Sequence, residues 1–251
     1  EVATFIQCVG FSIFEGFGLT ETSPLVSLNG WEDGNDCRIG SVGRVVPGVR
    51  VIIDQDAWED PDTEDGEVII DGPNVMQGYW KKDEETAAVM TKEGHFRTGD
   101  LGRLDDGFLF ITGRVKEQFK LSSGKYVAPA PLEESLKLSP YVEQCLVDGR
   151  SKTKTFTVIV PDFQILRTKL EQAKVNLPKT NKELASDKSV RSWVLEDLKG
   201  TIMSGWKGFE VSDSIIIDYD EWTTENRLLT PKLSVRRKQV LDRHEENIEA
   251  I

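Results

Sequence analysis

Apolar and polar positions follow two different rhythms along this chain. In the first 115 residues the apolar runs are short and β-like, at 49–53, 67–70 and 108–112. They are fenced by the turn signals Asp33-Gly34, Asp65-Gly66, Asp71-Gly72 and Asp106-Gly107. Asp106-Gly107 joins 101–104 to 108–112. That predicts a tight hairpin, because Asp and Gly tolerate the positive φ such a turn needs. Several short strands with this punctuation predict a small barrel or sandwich. Only 2–9 and 84–90 carry helical spacing there.

From about residue 116 the pattern alternates between helix and strand. A helix is predicted from Pro131, a residue tolerated in a first turn, through 138. Strands are predicted at 144–147, 156–160 and 214–218, and helices at 163–174 and 189–203. One charged final helix is predicted over 235–248, with Ser234 as its N-cap. The fold class is therefore mixed α/β: a β-rich unit followed by a small α/β layer domain. No internal repeat and no long linker is visible.

Charge changes at the same place. Residues 1–115 hold 22 acids and nine bases, and residues 116–251 hold 21 acids and 22 bases. Two units with different surfaces follow, 1–115 and 116–251, joined within 113–117. The overall net charge of −12 argues against nucleic-acid binding through a broad basic face. Cys8, Cys37 and Cys145 are widely spaced and form no CxxC pair, so they read as reduced thiols. No apolar run approaches the ~18 residues of a spanning helix. No basic-then-apolar leader opens the sequence, so a cytoplasmic setting is expected, with peripheral membrane contact left open.

Three segments offer chemistry. In Glu15-Gly16-Phe17-Gly18-Leu19-Thr20-Glu21-Thr22, Gly16 and Gly18 could let backbone approach a ligand, and Phe17 could stack on a flat base. Thr20 could contact a phosphate, and Glu21 could hold Mg²⁺. The same residues would equally make a glycine-bent strand end. In Thr98-Gly99-Asp100, the Asp100 carboxylate could accept two ribose hydroxyls, or the segment is a plain turn. Arg114, fourteen residues on, could reach the same ribose or a phosphate, or be a surface arginine. Ser122-Ser123-Gly124-Lys125 mimics the end of a phosphate-binding loop but lacks a glycine at Phe119, so it reads as a small-residue loop. His95 and His244 form no metal or triad pattern.

The order and spacing of these segments resemble the adenylate-forming superfamily of acyl-CoA synthetases, luciferases and peptide-synthetase adenylation domains. The matching stretches are GFGLTETSP (16–24), GSVGRVVPG (40–48), GEVIIDGPNVMQGYW (66–80), GHFRTGDLGRLDDGFLFITGR (94–114), KEQFKLSSGKYVAPAPLEE (116–134) and LLTPKLSVRR (228–237). Segment 94–114 is highly specific. Within the superfamily the segment from 121 and the late LLTP look most like long-chain fatty acyl-CoA synthetases.

The resemblance implies ATP-dependent activation of a fatty acid to an acyl-adenylate, then transfer to coenzyme A. It places Phe17 at the adenine-stacking position, Thr20 at the phosphate, and Glu21 at Mg²⁺. Asp100 falls at the ribose hydroxyls and Arg114 beside the ribose. Lys116 falls at the hinge of a mobile C-terminal domain, and Ser123 and Gly124 in the loop beside the pantetheine arm. Two departures stand out. The Ser/Thr/Gly-rich loop for the β- and γ-phosphates is missing, so the chain is expected to be the C-terminal part of a longer enzyme, inactive alone, with exposed apolar surface around 2–14. The family's catalytic lysine position is occupied by Ser234, and a lysine, Lys232, stands two residues earlier. In an extended chain that offset would keep it on the same face. The alternatives are an adenylating enzyme with another acceptor, and a non-catalytic nucleotide- or partner-binding module.

Overall fold

The computed structural model describes residues 2–30, 36–57 and 63–251. The Asp33-Gly34 turn lies outside them. The chain forms two compact units, Glu1–Glu117 and Gln118–Ile251.

In the first unit, helix α1 (Val2–Cys8) precedes seven strands: β1 (Gly16–Gly18), β2 (Leu25–Leu28), β3 (Arg44–Val45), β4 (Arg50–Asp54), β5 (Gly66–Asp71), β6 (Phe96–Asp105) and β7 (Phe108–Arg114). Helix α2 (Asp83–Val89) sits between β5 and β6. The strands form one sheet in the order β1-β2-β3-β7-β6-β5-β4, with every neighbour antiparallel. The barrel-or-sandwich expectation thus resolves into a single sheet with β1 and β4 as its two end strands. Asp106 and Gly107 both have positive φ, 50° and 80°, as the two-residue hairpin between β6 and β7 requires. The core is small: Val26, Val51, Val68, Ile70 and Leu109, flanked by half-buried residues that include Phe17 and Ile111. Helix α1 buries no side chain. Val2, Phe5, Val9, Phe11 and Phe14 are 50–68% exposed, as expected for 2–14.

The second unit begins with the short hairpin β8 (Phe119–Lys120) and β9 (Tyr126–Val127). Helix α3 (Pro129–Leu136) is followed by β10 (Val142–Asp148), β11 (Phe156–Pro161), α4 (Phe163–Gln172), α5 (Asn181–Ser186), α6 (Lys188–Thr201) and β12 (Ser214–Ile217). β10 pairs antiparallel and β12 parallel with β11, which is central. The near-continuous apolar runs of these strands fit burial on both faces. Cys145, Val147, Ile159, Ile215 and Ile217 join the larger core with Leu136, Leu166, Val194 and Leu198 from the helices. Leu146, Val158, Val160 and Ile216 join a second core with Trp222, Leu229 and Val240. Asp162 and Asp187 cap α4 and α6 by accepting two backbone N–H bonds each, and Thr180 with Glu183 forms a capping box on α5.

Two predicted elements differ. Helix α3 starts at Pro129 rather than Pro131, since either proline suits a first turn, and it ends at Leu136. The single helix over 235–248 is two short ones, α7 (Arg237–Arg243) and α8 (Glu245–Glu249). Ser234 caps neither. Val235 is still extended, bridged to Leu229, and the Arg236 N–H donates to the Leu228 carbonyl, so helix geometry begins only at Arg237. The break falls at His244, whose ring turns inward to Asp218 at 2.9 Å. Burial alone would raise the Asp218 pKa. Bonds from His244, the Asp220 amide and Trp222 outweigh it and pull the group down to about 2. Arg243 completes this anchor, with Nε 3.0 Å from the same carboxylate. His244 therefore serves the fold, and His95 stands 3.8 Å from Asp71.

Candidate nucleotide site

Asp100 stands on an irregular part of β6. Glu67 pairs with Leu101 and Ile69 pairs with Arg97, so Val68 alone faces Thr98, Gly99 and Asp100. Extra residues in one strand bend it and re-aim its side chains. The backbone groups that lose ladder partners find others nearby. The Thr98 hydroxyl donates to the Val68 carbonyl at 2.7 Å and accepts from the Asp100 amide at 3.0 Å. The Gly99 amide donates to Glu67 Oε1 at 3.1 Å, and the Val115 amide donates to the Gly99 carbonyl at 2.9 Å. Gly99 has φ +73°, which explains a glycine there.

Arg114 is directly opposite Asp100 in the β6–β7 register, with Nε 3.2 Å from Oδ1. The Asp100 side chain is 10% exposed and that of Arg114 65%. Burial raises the Asp100 pKa; Arg114 opposes that, and Glu117 and Glu67 add to it. The result is a carboxylate with a guanidinium at its rim, an arrangement able to accept two vicinal hydroxyls from a sugar.

Gly16, Phe17 and Gly18 form β1 at the end of the same sheet; β2, β3 and β7 lie between β1 and β6. The glycine-bent strand end is real: a Cβ on Gly18 would overlap the Pro24 carbonyl, and one on Gly16 would press on Leu28 and Ser27. Packing, before any ligand, forbids a side chain at Gly18 and crowds one at Gly16. Phe17 is half-buried against the small core. Thr20 and Glu21 lie in a single 3-10 turn (Thr20–Thr22). Thr22 is the structural hydroxyl of that turn: it accepts from the Leu19 amide and donates to the Leu19 and Pro24 carbonyls. Thr20 is exposed.

Glu21 has a partner that the sequence did not reveal. The Tyr79 hydroxyl donates to Glu21 Oε1 at 2.8 Å, and the Met76 amide donates to the Glu21 carbonyl at 2.8 Å. The hydrogen bond to Glu21 raises the Tyr79 pKa, so the phenol stays a donor. Glu21 Oε2 lies outside that bond. Among the described residues, no three His, Cys, Asp or Glu side chains cluster to hold a metal. A lone oriented carboxylate suits Mg²⁺ that takes its other ligands from phosphate and water.

The remaining candidates lie in turns and loops. Lys116 is exposed, in a turn closed by the Glu117 amide donating to the Arg114 carbonyl at 3.1 Å. Ser123 and Gly124 are exposed in the loop between β8 and β9, with Gly124 at φ +88°. Lys232 is exposed in a turn where the Leu233 amide donates to the Thr230 carbonyl at 2.8 Å. Pro231 begins this turn and Leu233 has φ +60°, so 231–233 is not extended. The expectation that a two-residue offset leaves Lys232 on the face of Ser234 is thereby overturned. Arg237, in the neighbouring basic pair, turns inward: Nη1 is 2.5 Å from Glu133 Oε1, and Nη2 donates to the Val147 carbonyl.

The AMP-binding enzyme family matches residues 1–80, and the AMP-binding enzyme C-terminal domain matches 116–198. The chain belongs to the adenylate-forming superfamily and corresponds to the C-terminal part of its members. It is 34% identical over 248 residues to the long-chain-fatty-acid–CoA ligase FadD15 of Mycobacterium bovis, covering 98% of this chain and 39% of that one. It is 30% identical over 269 residues to the long-chain-fatty-acid–[acyl-carrier-protein] ligase AEE15 of Arabidopsis thaliana, covering 100% of this chain and 34% of that one. Among solved structures, it is similar to the A domain of the Segniliparus rugosus carboxylic acid reductase in complex with AMP and a co-purified carboxylic acid. There the TM-score is 0.74 at 26% identity, over 99% of this chain and 37% of that one. The chain thus spans well under half the length of these relatives.

Proposed function

We propose that this chain supplies the nucleotide-gripping sheet and the mobile C-terminal domain of a long-chain fatty acid–CoA ligase. The overall chemistry joins a fatty carboxylate to ATP, releasing pyrophosphate, and the thiol of coenzyme A then displaces AMP to give a thioester. Carboxylate oxygen is a poor leaving group, and adenylation turns it into a good one. Asp100 accepts the ribose hydroxyls with Arg114 beside it, Phe17 stacks on adenine, and Thr20 donates to phosphate. Glu21, oriented by Tyr79, would hold Mg²⁺, which supplies charge neutralisation at the phosphates. Lys116 marks the hinge, and Ser123 and Gly124 border the pantetheine path. Lys232 takes the place of the lysine missing at Ser234, which requires the 231–233 turn to open.

The observation that carries this reading is the Asp100–Arg114 pair, opposed across β6 and β7 where β6 runs irregularly against β5, inside the most specific motif of the chain. The names of the relatives also favour a second reading, an adenylating enzyme with another acceptor, because one of them is an acyl-carrier-protein ligase. A chimera decides. This chain would replace the matching segment of the Mycobacterium bovis ligase, and long-chain acid-dependent AMP release and thioester formation would be measured. The proposal expects acyl-CoA. Adenylate formation with no thioester on CoA, but transfer to a carrier protein, would establish the second reading. No adenylate at all would contradict both. Lys232→Ala in the chimera should abolish adenylation and spare thioester formation from supplied acyl-adenylate; unchanged pyrophosphate release would remove Lys232 from the chemistry.

A further inference from the structure

Glu67 is a strand residue in a sheet with an exposed rim, yet it is only 6% exposed. It faces Asp54 directly across the β4–β5 register. Two carboxylates in that relation repel. Arg97 on β6 reconciles them. Its Nη2 is 2.9 Å from Asp54 Oδ2 and 2.5 Å from Glu67 Oε2, and its Nε donates to Glu67 Oε2 at 3.0 Å. That leaves Glu67 Oε1 to accept the Gly99 amide. Three adjacent strands are thus tied at one point, and the tie ends one residue before Asp100.

Within the segment, the Thr98 hydroxyl links the Asp100 amide to the Val68 carbonyl of β5. Glu67 is the second side-chain link to β5, and the one that reaches in from outside the segment to hold the residue next to Asp100. Gly99 would not hold the position unaided: nothing lies within 4 Å of where its Cβ would be, and glycine has the widest backbone freedom. We infer that Glu67, clamped by Arg97, is a positioning residue that aims Asp100 at the ribose hydroxyls of the bound nucleotide. This rests on the assignment of Asp100 to the ribose.

Charge and position act in opposite directions at this site, and that makes the inference testable. The Glu67 charge raises the Asp100 pKa, so neutralising Glu67 favours an ionised Asp100. An influence through charge alone would therefore strengthen ribose binding in Glu67→Gln. An influence through position weakens it, because the amide group must turn its NH₂ towards Arg97 or towards Gly99 and cannot satisfy both.

The experiment titrates the chain with AMP and with 2′,3′-dideoxy-AMP, following amide signals by NMR, for the natural sequence, Asp100→Asn, Glu67→Gln and Arg97→Lys. The natural chain should prefer AMP by tenfold or more, and Asp100→Asn should abolish that preference. Glu67→Gln should reduce the preference to about twofold while leaving dideoxy-AMP affinity within twofold, and should shift the Gly99 amide signal before any nucleotide is added. Arg97→Lys should fall between. Retained preference in Glu67→Gln, enhanced preference, or equal weakening for both nucleotides would each overturn the inference. If Glu67→Gln does not fold, Arg97→Lys decides by the same ratio, an unchanged preference overturning it. A natural chain that binds both nucleotides equally, or an Asp100→Asn variant that keeps the preference, would instead overturn the ribose assignment itself.

Discussion

The two units are of similar length but are held together differently. Among the described residues, nine buried apolar side chains belong to the first unit and 29 to the second. The second unit has a three-stranded sheet with an apolar layer on each face. The first has seven strands over a small core, supplemented by cross-strand ion pairs such as Arg97 with Asp54 and Glu67, Arg50 with Asp71, and Arg103 with Asp65. An exposed pair such as Arg50 with Asp71 contributes only about 0–1 kcal/mol. Apolar burial is therefore the main source of stability in the second unit, and the first devotes buried polar groups such as Glu67 and Asp100 to geometry. The unit that carries the candidate nucleotide residues is the one whose packing is sparser.

Core truncation gives the largest expected break of this contrast. Leu146→Ala removes a fully buried side chain from the central sheet of the second unit and should cost about 2–5 kcal/mol, lowering the unfolding midpoint of that unit. Chemical denaturation with a probe in each unit checks it. A single transition shared by both probes, shifted equally, would erase the distinction between the units.

Acid should separate them next. The Asp218 carboxyl has its folded pKa depressed to about 2, so its contribution is present above the ordinary value near 3.8 and is lost as pH falls towards 2. Asp100 has the opposite sign: its raised folded pKa means that acidification protonates it above the usual carboxylate range. AMP affinity should thus decline on acidification before the second unit loosens. A pH series of AMP binding and amide exchange checks the order; loosening of the 214–244 region first would contradict it.

Tyr79→Phe should weaken Mg²⁺-ATP binding by about 1.5–3 kcal/mol, the usual worth of a hydrogen bond to a charged group, and leave AMP affinity nearly unchanged. Calorimetry with both ligands checks this, and equal loss for both would separate Tyr79 from the cation. The smallest effect is expected at the exposed face of α1. Phe5→Ser should change stability by less than about 0.5 kcal/mol, since α1 buries no side chain. A larger loss in thermal unfolding would show that Phe5 is packed.

Much of the fold was legible because its signals are local. Asp106-Gly107 marked the hairpin, and the apolar runs at 144–147 and 156–160 marked strands. The end of the chain was not legible. Ser234 has the chemistry of an N-cap, but the Leu229–Val235 bridge holds it in extended chain, and His244 breaks the helix to reach Asp218, a contact 26 residues away in sequence. At the candidate site, residue types pointed to Asp100, Arg114 and Glu21. Tyr79, Glu67 and Arg97 stayed hidden because their roles arise from strand register and from contacts 30 to 58 residues apart. The expectation for Lys232 requires an extended backbone, and the turn at Pro231 removes that premise.

Titration of the isotopically labelled chain with AMP tests the central claim most directly. Amide perturbations should concentrate at Phe17–Glu21, Gly99–Leu101 and Arg114, and Asp100→Ala should weaken binding by tenfold or more while the protein stays folded. Perturbations confined to the second unit, or unchanged affinity in Asp100→Ala, would contradict the placement of the nucleotide on the first unit's sheet.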